Sequence, residues 1–183
     1  GSDALRWFFI SSPVIKGGNV ALDQDGKEVA KNARKALMPF WNAYYFFCLY
    51  ANAEGLKAEL NTTSTDSLDR YILAKLKTLV QDVKEEMTAY DMPTASDKLA
   101  EFLDILNNWY IRRGRARFWD EEQDAFDTLY TVLVTLCRAL APFAPFVSEY
   151  IYRNLTNDES VHLTDWPTTS DTDEKIVNDM RRV

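Results

Sequence analysis

Apolar residues recur at intervals of three and four along most of this chain, the spacing of one face of an α-helix and not the alternation of a strand. Over residues 27–53, Val29, Ala33, Ala36, Leu37, Phe40, Trp41, Tyr44, Tyr45, Cys48 and Leu49 keep that period. They predict one long helix with a wide apolar face, bent at Pro39. Residues 54–65 lose the period and carry Gly55, Asn61 and a Thr/Ser cluster, a loop after which Asp66 or Ser67 offers a helix cap. Leu68, Ile72, Leu76, Leu79, Val80, Val83, Met87 and Tyr90 predict a second long helix ending near Asp91 and Pro93.

Ala95, Leu99, Phe102, Leu103, Leu106, Trp109 and Tyr110 predict a third helix running on to about Phe118. A fourth starts at Glu121 or Glu122, follows Phe126, Leu129, Tyr130, Leu133, Leu136, Cys137 and Leu140, and is closed by the two prolines of residues 141–146. Val147, Tyr150, Ile151 and Leu155 predict a shorter fifth, ended by Thr156, Asn157 and Asp158. Helices joined by short connections pack as an antiparallel bundle, so the fold class is all-α. The ends depart from this pattern. Residues 3–13 hold Trp7, Phe8, Phe9 and Ile10 in a row, a helix or a buried strand set off by Gly17, Gly18 and Asn19. Val161, His162 and Leu163 lead to Trp166 and Pro167 as an extended segment, and residues 173–183 suit one final short helix. The divisions are therefore 1–20, a bundle over 21–160, and 161–183.

Composition narrows the function. A chain of 183 residues, 46% hydrophobic and 27% charged, holds one domain and is too apolar for disorder. The most apolar stretch, residues 36–53, is interrupted by Pro39, Asn42 and Asn52 and reads as a buried helix, not a membrane span. No secretory signal pattern opens the chain. Cys48 and Cys137 sit in separate apolar periodic segments, as reduced core thiols in a reducing cytoplasm would. The net charge of -7 excludes a generic nucleic-acid coat, so any RNA binding must come from a local patch.

Catalytic chemistry finds no seat. With one histidine, His162, no nucleophile, base and orienting acid can be assembled, and neither a phosphate-cradling glycine loop nor a zinc spacing occurs. The acids Asp120, Glu121, Glu122, Asp124 and Asp127 suit a first helical turn facing the helix dipole and water. The strongest local signal is residues 108–119, where Arg112, Arg113, Arg115 and Arg117 fall within six positions among Trp109, Tyr110, Phe118 and Trp119. At about 100° per residue Arg113 and Arg117 share a helix face near Trp109, a basic, aromatic-flanked stripe suited to a folded RNA loop or stem. The alternative is that these aromatics are core and some arginines pair with the acids that follow. Lys27, Lys31, Arg34 and Lys35 step along the polar side of the first long helix, with Leu37 and Trp41 turned inward. Alone they make a solvated face; beside the arginine stripe they would complete one phosphate-tracking surface.

Six stretches then carry a resemblance. In order they are Asp3-Ala4-Leu5-Arg6-Trp7-Phe8-Phe9; Trp41-Asn42-Ala43; Leu68-Asp69-Arg70-Tyr71-Ile72-Leu73; residues 108–119; Ala141-Pro142-Phe143-Ala144-Pro145-Phe146; and Ser160-Val161-His162-Leu163 with Asp165-Trp166-Pro167. The series resembles the anticodon-binding domain of class I aminoacyl-tRNA synthetases of the isoleucyl, valyl, leucyl and methionyl group, the isoleucyl enzymes most and the valyl next. The resemblance implies a bundle that follows a catalytic domain, grips tRNA along its anticodon arm and helps place the distant acceptor end. Residues 1–20 would be the connection from the catalytic domain, and 161–183 would lead to a C-terminal region. As RNA-contacting residues it implies Asn108, Arg112, Arg113, Arg115 and Arg117, and to a lesser degree Asn32, Arg34 and Lys35. The family's His-Ile-Gly-His and Lys-Met-Ser-Lys-Ser signatures do not occur here. The chain is thus expected to be catalytically silent, with no cofactor of its own and ATP belonging to the parent enzyme. The implied partners are an isoleucine-accepting tRNA and the catalytic and C-terminal domains of the same parent chain, in a cytoplasmic monomer with no membrane contact. Gly114 departs from a continuous arginine-rich helix and loosens or kinks the stripe. A structural bundle docking protein partners, without RNA contact, is the other reading of the same residues.

Overall fold

Helix boundaries fall where the sequence supplies caps and stops. In the computed structural model, which describes residues 1–20 and 24–168, the carboxylate of Asp66 accepts the backbone N–H groups of Leu68 (2.8 Å) and Asp69 (3.2 Å) and starts a helix over Ser67–Thr88. Asp91 does the same for Met92–Asp104 through Thr94 (3.2 Å), with Pro93 in the first turn. The long helix Lys27–Glu54 runs through Pro39 and stops at Gly55, whose φ of 64° suits a residue without Cβ. Asn157 closes the helix Pro145–Thr156 in the same left-handed conformation.

In chain order the α-helices are α1 (Ser2–Ile10), α2 (Lys27–Glu54), α3 (Ser67–Thr88), α4 (Met92–Asp104), α5 (Arg115–Trp119), α6 (Gln123–Leu140) and α7 (Pro145–Thr156). Short 3-10 turns occupy Pro13–Lys16 and Val161–Leu163, and there is no strand among the described residues. The expected all-α bundle is therefore observed. Its core is continuous: Phe40, Ala43 and Phe47 of α2, Ile72, Leu76 and Val83 of α3, and Leu99 and Leu103 of α4 meet Leu129, Leu133 and Leu136 of α6. Each fully buried Leu, Ile, Val or Phe side chain among these contributes about 1.5–3 kcal/mol of apolar transfer. Helix α6 is central, with residues buried on nearly every side.

Two expectations change in the structure, and one open alternative is decided. The predicted third helix is not one helix: α4 passes into a π-helical stretch, Ile105–Ile111, breaks at Gly114 and resumes as the five-residue α5. The stretch 161–163, expected to be extended, is a 3-10 turn, because Glu149 accepts hydrogen bonds from Ser160 Oγ (2.9 Å) and the Val161 N–H (2.8 Å) while Val161 packs into the core. Residues 2–10, open to helix or strand in the sequence, form α1, which is built into the bundle. Trp7 and Phe8 are buried, Trp7 lies 6.0 Å from Phe143, and the Arg6 guanidinium donates twice to the Pro142 carbonyl (2.9 and 2.8 Å). Asp3 accepts the N–H groups of Val147 (2.7 Å) and Phe146 (3.3 Å), supplying from α1 the cap that Ala144 cannot give α7. This gives the Asp-Ala-Leu-Arg-Trp and Ala-Pro-Phe motifs a joint structural role.

Cys48 is half-buried and Cys137 buried, both as free thiols, and burial pushes the Cys137 thiol pKa up, away from the reactive thiolate. No helix among the described residues is long and apolar enough to cross a membrane. The helix expected over 173–183 lies outside the described residues.

Candidate nucleic-acid interface

A π-helical turn holds more residues than an α turn, so it rotates everything after it out of the register that a simple helical wheel assumes. Here the shift is anchored by Asn107, whose side-chain amide donates to the carbonyls of Leu103 (2.8 Å) and of Pro39 in α2 (3.0 Å). Gly114 then donates its N–H to the Tyr110 carbonyl (2.8 Å), so closely that a Cβ would sit 3.1 Å from that oxygen. The chain turns there and exposes Arg112, Arg113 and Arg115, none of which forms an ion pair among the described residues. The Arg113 guanidinium lies 5.1 Å from the centre of the Trp109 ring, which packs at 4.4 Å on the buried Tyr71, over which Lys75 Nζ lies at 5.9 Å. This cation–aromatic–aromatic–cation stack orients Arg113 while leaving it exposed. Asn108 is exposed beside it, its amide donating to the Asp104 carboxylate, and Trp119 at the far end is 69% exposed.

Arg117 behaves differently and corrects the expected stripe. It does not share a solvent face with Arg113. Its side chain is 13% exposed and forms a fork on the fully buried Asp69, Nη1 to Oδ1 at 2.7 Å and Nη2 to Oδ2 at 2.9 Å. Nη1 also reaches Asp66 (3.0 Å) and Nε reaches Glu122 (2.6 Å). Burial alone would lower the Arg117 pKa; hydrogen bonds to the Asp69 and Glu122 carboxylates outweigh it and raise the net value, so the charge is permanent. The alternative in which some arginines pair with acids thus holds for Arg117, through one acid of the following run and two from the start of α3.

The three α2 residues expected to contact RNA point in three directions. Lys35 is exposed one turn before Pro39, on the flank that meets Asn107. Arg34 is exposed and heads an outer row, 34, 38, 41, 45 and 49, at helical spacing. Asn32 is half-buried, donates to the Glu28 carbonyl (3.0 Å), and borders a hollow with Phe8, Ser12 and Pro13, away from the arginines. Because Asn107 meets Pro39 and Phe118 meets Phe46 (5.0 Å), residues 107–118 run beside α2 in the same direction. Arg34 therefore lies ~18 Å along the helix axis, at 1.5 Å per residue, from the level of Phe46 beside α5.

That outer row was not foreseen. Met38 (50% exposed), Trp41 (38%), Tyr45 (59%) and Leu49 (52%) form an apolar stripe on α2 facing away from the core. Trp41, expected to turn inward, instead stacks at 5.6 Å on Tyr150 of α7, which is itself half exposed beside the exposed Phe146. The signal lay in the abundance of apolar positions on α2, too many for one buried face of a 3.6-residue period.

A family model described as "Anticodon-binding domain of tRNA ligase" matches residues 69–183, more than half of the chain, starting at the buried Asp69 and taking in the whole arginine segment. The chain belongs to the anticodon-binding domain family of tRNA ligases. Over its full length it is 50% identical to the isoleucine–tRNA ligase of Leifsonia xyli subsp. xyli and covers 17% of that protein. It is 47% identical to that of Tropheryma whipplei strain Twist, covering 18%, and 48% identical over 91% of its length to that of Mycobacterium tuberculosis, covering 16%. The chain thus spans less than a fifth of the curated relatives it matches. Among solved structures the LeuRS of Agrobacterium radiobacter K84, in a ternary complex with tRNA and LeuAMS, superposes with a TM-score of 0.67 over 97% of this chain and 20% of that one. At 18% identity that likeness concerns the fold.

Proposed function

We propose that this bundle is the anticodon-arm-binding module of an isoleucine–tRNA ligase, with Arg112, Arg113 and Arg115 as its principal phosphate contacts. The observation that carries this reading is three exposed arginines, unpaired among the described residues, on one short turn of a chain whose net charge is -7. Guanidinium groups meet phosphate oxygens as planar forks, and a field negative elsewhere directs the backbone of a nucleic acid to that turn. Asn108 lies beside them with its amide oriented, and Trp119, Trp41, Tyr45 and Tyr150 offer rings on which unpaired bases stack. Arg34 and Lys35 extend the charge along α2; Asn32 contributes less, being half-buried and turned toward α1. Arg117 is a support for the turn, not a contact.

The identity of 47–50% to isoleucine–tRNA ligases over the whole chain supports isoleucine as the amino acid of the parent enzyme. ATP and the aminoacylation chemistry belong to the remainder of that parent, and this part, a cytoplasmic monomer in this reading, needs no cofactor. The test is a titration against isoleucine tRNA and a non-cognate tRNA at low and moderate salt. Log affinity falls against log salt with a slope of about −2 to −3 for three neutralised phosphates. Arg113→Glu with Arg115→Glu is expected to weaken binding at least about tenfold at low salt, since each lost phosphate contact weakens binding across sequences. Absence of binding at low salt sinks the reading. The stripe of Met38, Trp41, Tyr45 and Leu49 favours a second reading, docking of protein, whose affinity would respond little to salt.

A further inference from the structure

Tyr110 and Arg117 stand seven positions apart, at the two ends of the exposed arginine turn, and both bond the same carboxylate. Tyr110 Oη donates to Asp69 Oδ1 at 2.7 Å, and the Arg117 fork takes both Asp69 oxygens. Ser64 Oγ completes the set on Oδ2 at 2.8 Å. Asp69 and Tyr110 are both 0% exposed. We infer that Asp69 is a positioning residue for RNA recognition: it clasps both ends of the segment that carries Arg112, Arg113 and Arg115 and so sets the directions in which they meet phosphate, an inference that rests on the tRNA reading above.

Local structure cannot hold this segment by itself. A π-helical stretch is rare outside single-turn bulges in α-helices, and α5, with five residues, is far below the length at which an isolated helix persists. Gly114 between them adds backbone freedom. Phe118, 1% exposed, ties α5 to the core and fixes its depth. A buried ring leaves the rotation of a one-turn helix loosely determined, whereas a planar two-point fork on a buried carboxylate fixes it. Stability alone explains the arrangement poorly, since a buried ion pair rarely stabilises a fold more than well-packed apolar residues would; fixing a single orientation is what such a pair adds. The clasp also keeps Arg117 out of the phosphate-binding set, and Trp109, the residue just before Tyr110, orients Arg113.

The experiment uses the full chain and compares Tyr110→Phe, Asp69→Asn and Arg117→Lys, each alone and combined with Arg113→Glu and Arg115→Glu. Cooperative thermal unfolding first establishes which variants are folded at the assay temperature; Tyr110→Phe, which loses one hydroxyl and keeps the ring, is the variant expected to remain so. Hydrogen exchange over residues 108–119 and over α6, and tRNA affinity at low salt, are then measured. Expected are about tenfold faster exchange confined to residues 111–117 and about tenfold weaker tRNA binding in the folded clasp variants. In the Arg113→Glu, Arg115→Glu background, where only Arg112 remains to be positioned, the clasp variants are expected to cause a much smaller further loss of affinity than in the unaltered chain, a coupling that a merely structural role would not produce. If the unaltered chain binds tRNA and the folded clasp variants bind it equally well, or lose affinity independently of the two arginines, the inference is overturned while the tRNA reading stands. If the unaltered chain binds no tRNA at low salt, the tRNA reading fails and the inference falls with it.

Discussion

Helix α6 and the segment 105–119 are neighbours in sequence and opposites in construction. In α6 the apolar period and the burial agree along the whole helix. The arginine segment passes through a π-helical turn, a glycine break and a one-turn helix, and is held by the backbone carbonyl of Pro39 in α2 and by the carboxylates of Asp69 in α3 and of its N-cap Asp66. Where local preference and tertiary structure coincide, the chain builds a scaffold. Where they diverge, it presents exposed charge in a conformation no isolated peptide would keep.

The sharpest way to break that comparison is to remove one anchor from each region. Asp69→Ala leaves the Arg117 guanidinium largely buried with its fork unmade and is expected to cost about 3–5 kcal/mol in urea unfolding. Leu133→Ala in α6 is expected to cost about 2–5 kcal/mol through the cavity it leaves. The two should differ in distribution: the α6 change lowers hydrogen-exchange protection across the whole bundle, whereas the Asp69 change opens residues 105–119 first.

A second prediction follows from Tyr110, whose pKa is raised by burial first and then by the neighbouring Asp69 charge. The folded chain keeps this phenolic proton more tightly than the unfolded chain does. Its contribution is therefore complete below the unfolded value of about 10 and declines above it, by about 1.4 kcal/mol per pH unit for one proton. Tyr44 and Tyr130, both raised chiefly by burial, add to the loss. Stability measured from pH 9 to 11 should fall, and Tyr110→Phe should make the fall less steep without abolishing it.

The smallest effect sharpens the comparison at one position. Gly114→Ala requires the Tyr110 carbonyl to move by a few tenths of an ångström, while the backbone of Gly114, at φ −78°, is open to any residue. The expected cost is about 1 kcal/mol. Alanine in place of an exposed residue in the first turn of α6, such as Asp124, should change stability by less than about 0.5 kcal/mol.

Periodicity was enough to read α2, α3, α6 and α7 to within a few residues, because an amphipathic helix is written in spacings of three and four that need no distant partner. It was also enough to find the basic turn, since four arginines in six positions stand out in a chain of net charge -7. It failed at Arg117, whose partners Asp69 and Asp66 lie 48 and 51 positions away. It failed at Trp41 too, where helical spacing placed the ring inward and contact with Tyr150, over a hundred positions on, holds it half exposed.

The sequence by itself thus determined an all-helical bundle, its helix ends and the place where positive charge is concentrated. Only the tertiary structure decided that α1 belongs to the bundle, that the third helix is broken, and that three of the four arginines face solvent while one is held inside. Hydrogen bonds along a helix join residues four apart and leave a local trace in the sequence. The burial of a charge depends on which carboxylate the fold brings to meet it, and no local spacing records that.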